Sequence, residues 1–262
     1  MTHALFIFAH QDDEIAAASR IAWTLGRGCT VSCVFLTNGE GGRATAAQRD
    51  AESRVVLTRL GVDPARVHFL GSEHGLPDGG LVQHLDRALA LVEKRIAEPV
   101  HELTCLAWEG GHHDHDASHL VAVAFAARRG IVDRTVEVPL YQGHRLPLGI
   151  FDTLAPLRVG APWNGRRITA GEGLRIAALC RFYTTQRKTW LGLLPLALLR
   201  MVIGRREWTR PVDPRRLGEP PHPGTLFYER RFGVRRVDFA RTAEPFVARL
   251  QATAATRSGT PA

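Results

Sequence analysis

Two short segments of the sequence concentrate groups that bind metal ions and move protons. The first is Ala9-His-Gln-Asp-Asp-Glu14, directly after the apolar run Leu5-Phe-Ile-Phe-Ala9. Helix capping accounts for one of its acids, since a carboxylate accepts the free N–H groups of a helix N-terminus. It does not account for a histidine and three acids in five positions. The second is Glu109-Gly-Gly-His-His-Asp-His-Asp-Ala-Ser-His119, which holds four of the twelve histidines of the chain. A solvated polar loop is the plain alternative there. Imidazole nitrogen and carboxylate oxygen are the donors that Zn2+ and neighbouring divalent ions take. Together the segments can supply two nitrogens and one carboxylate to one metal. A catalytic site of that kind keeps a position open for water, and a leftover carboxylate can take the water's proton. This is the layout of metal-assisted hydrolysis.

The elements that position these groups read as an α/β fold. Strand-like runs at Leu5–Ala9, Val31–Leu36, Arg66–Leu70, Leu103–Trp108 and Thr135–Leu140 alternate with helical patterns at Asp12–Leu25, Ala44–Leu60, Gly80–Ala97 and His115–Arg129. Such alternation predicts a Rossmann-like, mostly parallel sheet with crossover helices. The polar loops follow the strands, where open α/β sheets bind ligands. Beyond residue 145 the pattern weakens. Helices are predicted over Gly173–Thr184 and over Lys188–Ile203, the latter kinked at Pro195, and an edge strand over Leu226–Phe232. The expected organisation is a core over 1–145, a C-terminal helical and loop extension packed on it over 146–250, and a frayed tail over 251–262.

Composition bounds the rest. Of 262 residues, 45% are hydrophobic and 23% charged, ordinary for a globular chain and unlike a disordered or fibrous one. The net charge of +8 sits in one region: residues 181–236 hold thirteen Lys and Arg against four Asp and Glu. No nucleic-acid motif and no regular interleaving of basic and stacking aromatic residues accompanies it, so no nucleic-acid partner is expected. Cys29, Cys33, Cys105 and Cys180 lie in or near apolar runs and read as buried free thiols. The N-terminus has no basic region or cleavage site, which predicts a cytoplasmic chain. The run Trp190–Ile203 is almost wholly apolar but shorter than the roughly 20 residues of a bilayer span. With Trp208 and its basic flanks, residues 190–208 read as a core helix, a homo-oligomer interface, or a peripheral contact with the inner membrane surface and a lipid-linked substrate.

The combination of Ala-His-x-Asp-Asp-Glu after a strand, Thr37-Asn-Gly-Glu-Gly-Gly42 and then His112-x-Asp114-His115 resembles the PIG-L/LmbE-like deacetylases. The likeness covers roughly residues 3–145. Gln11 and His113 stand where that family commonly has proline, and neither position is a ligand in its pattern. The resemblance implies a zinc-dependent hydrolase on a Rossmann-like fold that removes acetyl from an N-acetylglucosamine-type amino sugar. It implies His10, Asp13 and His115 as ligands of one Zn2+, or of another divalent ion. It gives Asp12 as the general base, His112 as the group that stabilises the oxyanion or protonates the leaving amine, and Asp114 as the group that orients an imidazole. Arg49 and Asp78 match positions that contact substrate hydroxyls, and Arg49 with Glu52 fits an Arg-x-x-Glu element. Tyr183-Thr-Thr-Gln186 is weakly similar to a Ser-Gln element near the family's site. His113 and His119 are left without a role, His119 reading as a polar helix-face residue. The alternative activity is an amidase or deacylase on a sugar conjugate or natural-product scaffold with the same metal site.

Overall fold

The residues His3–Phe8 form strand β1, buried along its whole length. A strand covered on both faces is the mark of a parallel sheet inside an α/β fold. The computed structural model describes residues 2–41, 44–147 and 150–258. From β1 the chain runs through α1 (Ala18–Gly26), β2 (Thr30–Phe35), α2 (Ala46–Leu60), β3 (Val67–Phe69), the short α3 (Leu70–His74) and α4 (Leu85–Arg95). It continues through β4 (Glu102–Leu106), α5 (His113–Arg129), β5 (Thr135–Val138) and a two-stranded ribbon of β6 (Tyr141–Gln142) with β7 (Asp152–Thr153). The remaining elements are β8 (Asn164–Arg167), α6 (Ala170–Leu179), α7 (Arg187–Leu198), β9 (Arg206–Pro211), α8 (Phe227–Phe232) and α9 (Arg236–Ser258).

The main sheet has the order β3-β2-β1-β4-β5-β9-β8. β1 to β5 are parallel, with Phe6 opposite Cys33 on one side and Thr104 on the other. β9 and β8 are antiparallel additions. The chain builds outward from β1 to β3, then returns to place β4 on the other side of β1. The crevice between β1 and β4 at their carboxyl ends is therefore the switch point where such sheets bind ligands. One sheet face packs on α4, α5 and α9, and α5 is buried from His113 to Ala127. The other face carries the core of Phe6, Phe8, Ile21, Phe35 and Leu57. A third cluster, centred on Tyr183, Trp190, Leu193 and Met201, joins α6 and α7 to Ile15 and Val56. All four cysteines are free and buried, as the sequence implies.

The fold class agrees with the sequence reading, and three local expectations do not. Leu226–Phe232 is no edge strand: Leu226 precedes helix α8, and the Glu229 carboxylate accepts the Leu226 N–H at 2.9 Å. Phe227 and Tyr228 turn inward there. The edge on this side is β8, paired to β9, and their polar sequences Asn-Gly-Arg-Arg and Arg-Glu-Trp-Thr-Arg-Pro carry no strand pattern. The C-terminal segment thus extends the sheet itself. Helix α9 also continues past residue 251 to Ser258, and residues 259–262 lie outside the described residues. α7 passes through Pro195 into π-helical turns at Leu199–Gly204. Proline donates no N–H, so the carbonyl of Leu191, one turn earlier, loses its helical partner.

β9 is anchored by a buried ion pair. The Arg210 guanidinium donates to Glu137 Oε1, and both residues are buried. Glu137 Oε2 accepts the Trp108 N–H at 3.2 Å, and Arg210 donates to the Val159 carbonyl at 2.5 Å. Removing one partner strands a charge, so Arg210→Ala is expected to lower unfolding free energy by about 3–5 kcal/mol in urea denaturation. A loss under ~1 kcal/mol would show that water reaches Glu137 and that the strand is held by its backbone alone.

Candidate active site

The turn after β1 is closed by its own carboxylate. Asp13 Oδ2 accepts the N–H groups of Ala9 at 3.1 Å and His10 at 2.8 Å. Between them Asp12 adopts φ 116°, a left-handed conformation rare outside glycine. Its N–H donates to Glu14 Oε2 at 2.8 Å, and Glu14 Oε1 accepts the buried Tyr183 hydroxyl at 2.7 Å. A strain of about 1–3 kcal/mol is held in place by this network. At the second segment, His112 caps α5: its Nδ1 accepts the Asp114 N–H at 3.1 Å. Gly111 precedes it because a Cβ there would collide with the Tyr141 carbonyl oxygen.

These two turns bring three donors together. His10 Nδ1 faces His115 Nε2 at 3.2 Å. Asp13 Oδ1 lies 3.1 Å from His115 Nε2, and Asp13 Oδ2 lies 3.7 Å from His10 Nδ1. His112 also offers an atom within 4.8 Å of atoms on His10 and His115. The far edge of the His10 ring is fixed: Nε2 lies 3.2 Å from Asp114 Oδ2 and 3.1 Å from Asp78 Oδ1. With Nε2–H held by these carboxylates, Nδ1 is the ring atom turned toward His115. Asp114 is itself held by the N–H groups of Gly79 at 2.6 Å and Leu81 at 3.1 Å.

Burial and charge act against each other throughout. Burial disfavours the His10 cation, but Asp78, Asp114 and Asp13 outweigh it and raise its pKa well above the ordinary value. Burial raises Asp13 and Asp78, while His115 and His10 pull Asp13 below the usual range and His10 and Arg49 do the same for Asp78. Burial pushes Asp12 up to about 7 despite the Arg49 guanidinium 3.3 Å away. His112 is held neutral, its pKa pushed well down by burial and by the neighbouring imidazoles. With Nδ1 accepting a backbone N–H, its single proton sits on Nε2.

The sequence-predicted residues gather around one cavity of about 400 Å³. His10, Asp12, Asp13, His112, His115, Arg49 and Asp78 line it, and Asp114 sits behind His10. Arg49 is not a surface residue: it is buried, donating to the Gln11 and Gly39 carbonyls. Asp78 is more than a turn residue, since it accepts from Gly41 N–H at 3.0 Å as well as facing His10. Glu52 binds the Thr184 and Thr185 hydroxyls, each at 2.6 Å, which docks the Tyr183–Gln186 segment. His119 lies on α5, buried, and its Nδ1 donates to the Leu106 carbonyl at 2.7 Å. Gly42 of the glycine-rich loop lies outside the described residues.

The sequence pointed to only part of the remaining lining: Gln186 of the Tyr183–Gln186 segment and Trp190 and Leu193 of the apolar run are there. Tyr141, Thr189 and Phe232 also line it, together with Gly41, Gly79, His113 and Leu140. Tyr141 packs edge-on against His115, with ring centres 5.3 Å apart, and Phe232 against His112 at 4.5 Å. Tyr141 comes from the ribbon and Phe232 from α8, and nothing in their local sequence marks them. A groove of about 430 Å³ between α9 and residues 217–221 lies apart from this chemistry.

Residues 5–126 match the family profile described as PIG-L: GlcNAc-PI de-N-acetylase. No curated protein matches the chain significantly. Among solved structures, a deacetylase of the teicoplanin biosynthesis pathway, in a complex named for bog, is similar at 16% identity. That match covers 79% of this chain and 96% of the other, with a TM-score of 0.61. The N,N'-diacetylchitobiose deacetylase of Pyrococcus horikoshii is similar at 19% identity, over 80% of this chain and 84% of its own, with a TM-score of 0.54. The 4-carboxy-2-hydroxymuconate hydratase of Pseudomonas putida is similar at 17% identity, over 82% and 98%, with a TM-score of 0.51. At such identities the likenesses establish the fold, and the hydratase shows that this fold serves more than one reaction.

The cap on α5 gives a direct check on how His112 is held. His112→Ala should lower stability by about 1 kcal/mol in urea denaturation, and His112→Asn should recover most of it. Equal stability of the alanine variant and the parent would mean that the Nδ1 contact does not support the helix.

Proposed function

From the PIG-L family domain that residues 5–126 carry, we propose that this chain is a metal-dependent deacetylase acting on an N-acetylated amino sugar. The observation that carries the reading is the meeting of His10 Nδ1, Asp13 Oδ1 and His115 Nε2, with Asp12 on the adjoining turn. Two nitrogens and one carboxylate oxygen suit Zn2+, and the carboxylates on His10 Nε2 fix the tautomer that a ligand histidine needs. A divalent ion held there would supply a Lewis acid for the acyl oxygen and lower the pKa of a water.

The chain's own groups do the remaining work. Asp12, on the turn beside the proposed ligands, takes the proton of the attacking water and passes it to the departing amine. His112 donates Nε2–H to the acyl oxygen as charge builds there, which a neutral imidazole does at no cost in proton transfer. Asp114 orients His10 from behind. Arg49 and Asp78 line the same cavity and are the proposed contacts to sugar hydroxyls, while the chain also uses them to hold Asp12 and His10. The apolar wall of Trp190, Leu193 and Phe232 favours, as a second reading, an acyl group or scaffold larger than acetyl.

The direct test incubates the purified chain and Zn2+ with a panel of N-acetylglucosamine derivatives and reads acetate release. No release from any member, with turnover of a longer amide, would select the second reading. Asp13→Ala is expected to lose bound zinc by elemental analysis, because a charged donor is removed; full occupancy would sink the ligand assignment. Asp12→Asn is expected to keep metal and fold and to lose ~10²–10⁴-fold in rate. Activity within a few-fold of the parent would show that another group takes the proton.

A further inference from the structure

Residues 173–206 contain seven Lys and Arg and no Asp or Glu. This stretch holds the end of α6, all of α7 and the π-helical turns that follow. Trp190, Leu193, Ala197 and Met201 point into the third core cluster. The opposite face is Leu191, Pro195, Leu199 and Ile203, four residues apart each time, and all are exposed. Leu191 is 78% and Ile203 72% accessible, values that no core or packing role explains. α6 packs on the π-helical turns and adds Leu174, itself 54% exposed. Arg187 and Lys188 stand at one end of the stripe and Arg205 and Arg206 at the other, all exposed. Arg200 is matched by Asp152 at 2.8 Å.

We propose that α7 and its π-helical extension form a docking surface for an anionic lipid bilayer. The stripe is apolar, its ends are cationic, and no acid within it opposes a negative surface. Apolar area combined with attraction to acidic headgroups is what sustains interfacial binding. No helix among the described residues is long and apolar enough to cross a membrane, so the contact is lateral. The tryptophans do not make it: Trp190 is buried, and Trp208 lies on β9 under Arg206. The aliphatic residues and the basic ends do. The surface also sits at the cavity, since Thr189, Trp190 and Leu193 of the same helix line it. Docking would therefore hold the cavity mouth near the lipid. The proposal stands independently of the deacetylase reading.

The test uses the full chain with vesicles of phosphatidylcholine alone and of phosphatidylcholine mixed with phosphatidylglycerol. The chain should co-sediment with the mixed vesicles at low salt and be released at high salt, as screening requires. Leu191→Glu with Ile203→Glu should weaken binding about tenfold or more, from the loss of two inserted aliphatic side chains. Its Tm should be unchanged, because both side chains are exposed in the folded chain. Arg205→Glu with Arg206→Glu should weaken binding to the mixed vesicles only. Absence of binding to mixed vesicles, or equal binding by the Leu191/Ile203 variant, would overturn the proposal. So would a dimer in ultracentrifugation that this variant dissolves while the parent ignores vesicles, which would assign the stripe to a second copy.

Discussion

The structure depends on keeping a cluster of carboxylates and imidazoles at the end of β1 out of bulk water. An unpaired buried charge is very costly, so each member must find a partner or a backbone donor. Asp13 takes two N–H groups of its own turn, and Asp114 takes two from the segment Gly79–Leu81. His10 is gripped between Asp78 and Asp114. Three stretches distant in sequence must therefore converge: the turn after β1, the loop near residue 78 and the start of α5. The placement of β4 directly beside β1 makes that possible. The strand order and the site chemistry are one requirement seen at two scales.

The acids around this centre come from separate segments and sit in different environments. Asp116 Oδ1 accepts the N–H groups of Glu109 and Gly110, and Glu109 Oε1 accepts those of Leu140 and Tyr141. Burial pushes Asp116 up to about 8 and Glu109 well above its ordinary value. Their backbone hydrogen bonds tie β4, α5 and the ribbon together. Glu109 holds the backbone of Tyr141, whose ring packs on His115. Asp13 and Asp78, with imidazoles beside them, stay ionised. Environment, and not residue type, divides donors of charge from donors of shape.

Much of this was legible in the sequence because the signals were local. An apolar run before a polar cluster identifies a strand and its carboxyl end, and that was enough to bring His10, Asp12, Asp13, His112 and His115 to one place. Asp114 behind His10 followed the family pattern. Where partners were distant, the reading failed. Arg210 and Glu137 look like ordinary charges until β9 lies beside β5. β8 and β9 are polar because they cover an edge, so alternation of apolar residues never announces them. Leu226–Phe232 carries residues suited to a strand, and the Glu229 cap with the burial of Phe227 and Tyr228 makes it a helix instead. The exposure of the Leu191–Ile203 stripe is equally a tertiary fact: the run is apolar on all sides, and only packing decides which side faces out.

The C-terminal third finishes what the first two thirds begin. The β1 and β4 turns make a polar floor that is open on one side. Trp190 and Leu193 from α7, Tyr141 from the ribbon and Phe232 from α8 build the opposing wall. Glu52 fastens the approach to α7 through Thr184 and Thr185, and Glu14 fastens it again through Tyr183. That second link joins the α7 lobe to the residue that receives the Asp12 N–H. An apolar wall lowers the local dielectric, so the charges on the floor act more strongly on whatever enters. The same lobe that turns an aliphatic stripe outward is therefore the one that dries the cavity and braces the strained Asp12 turn.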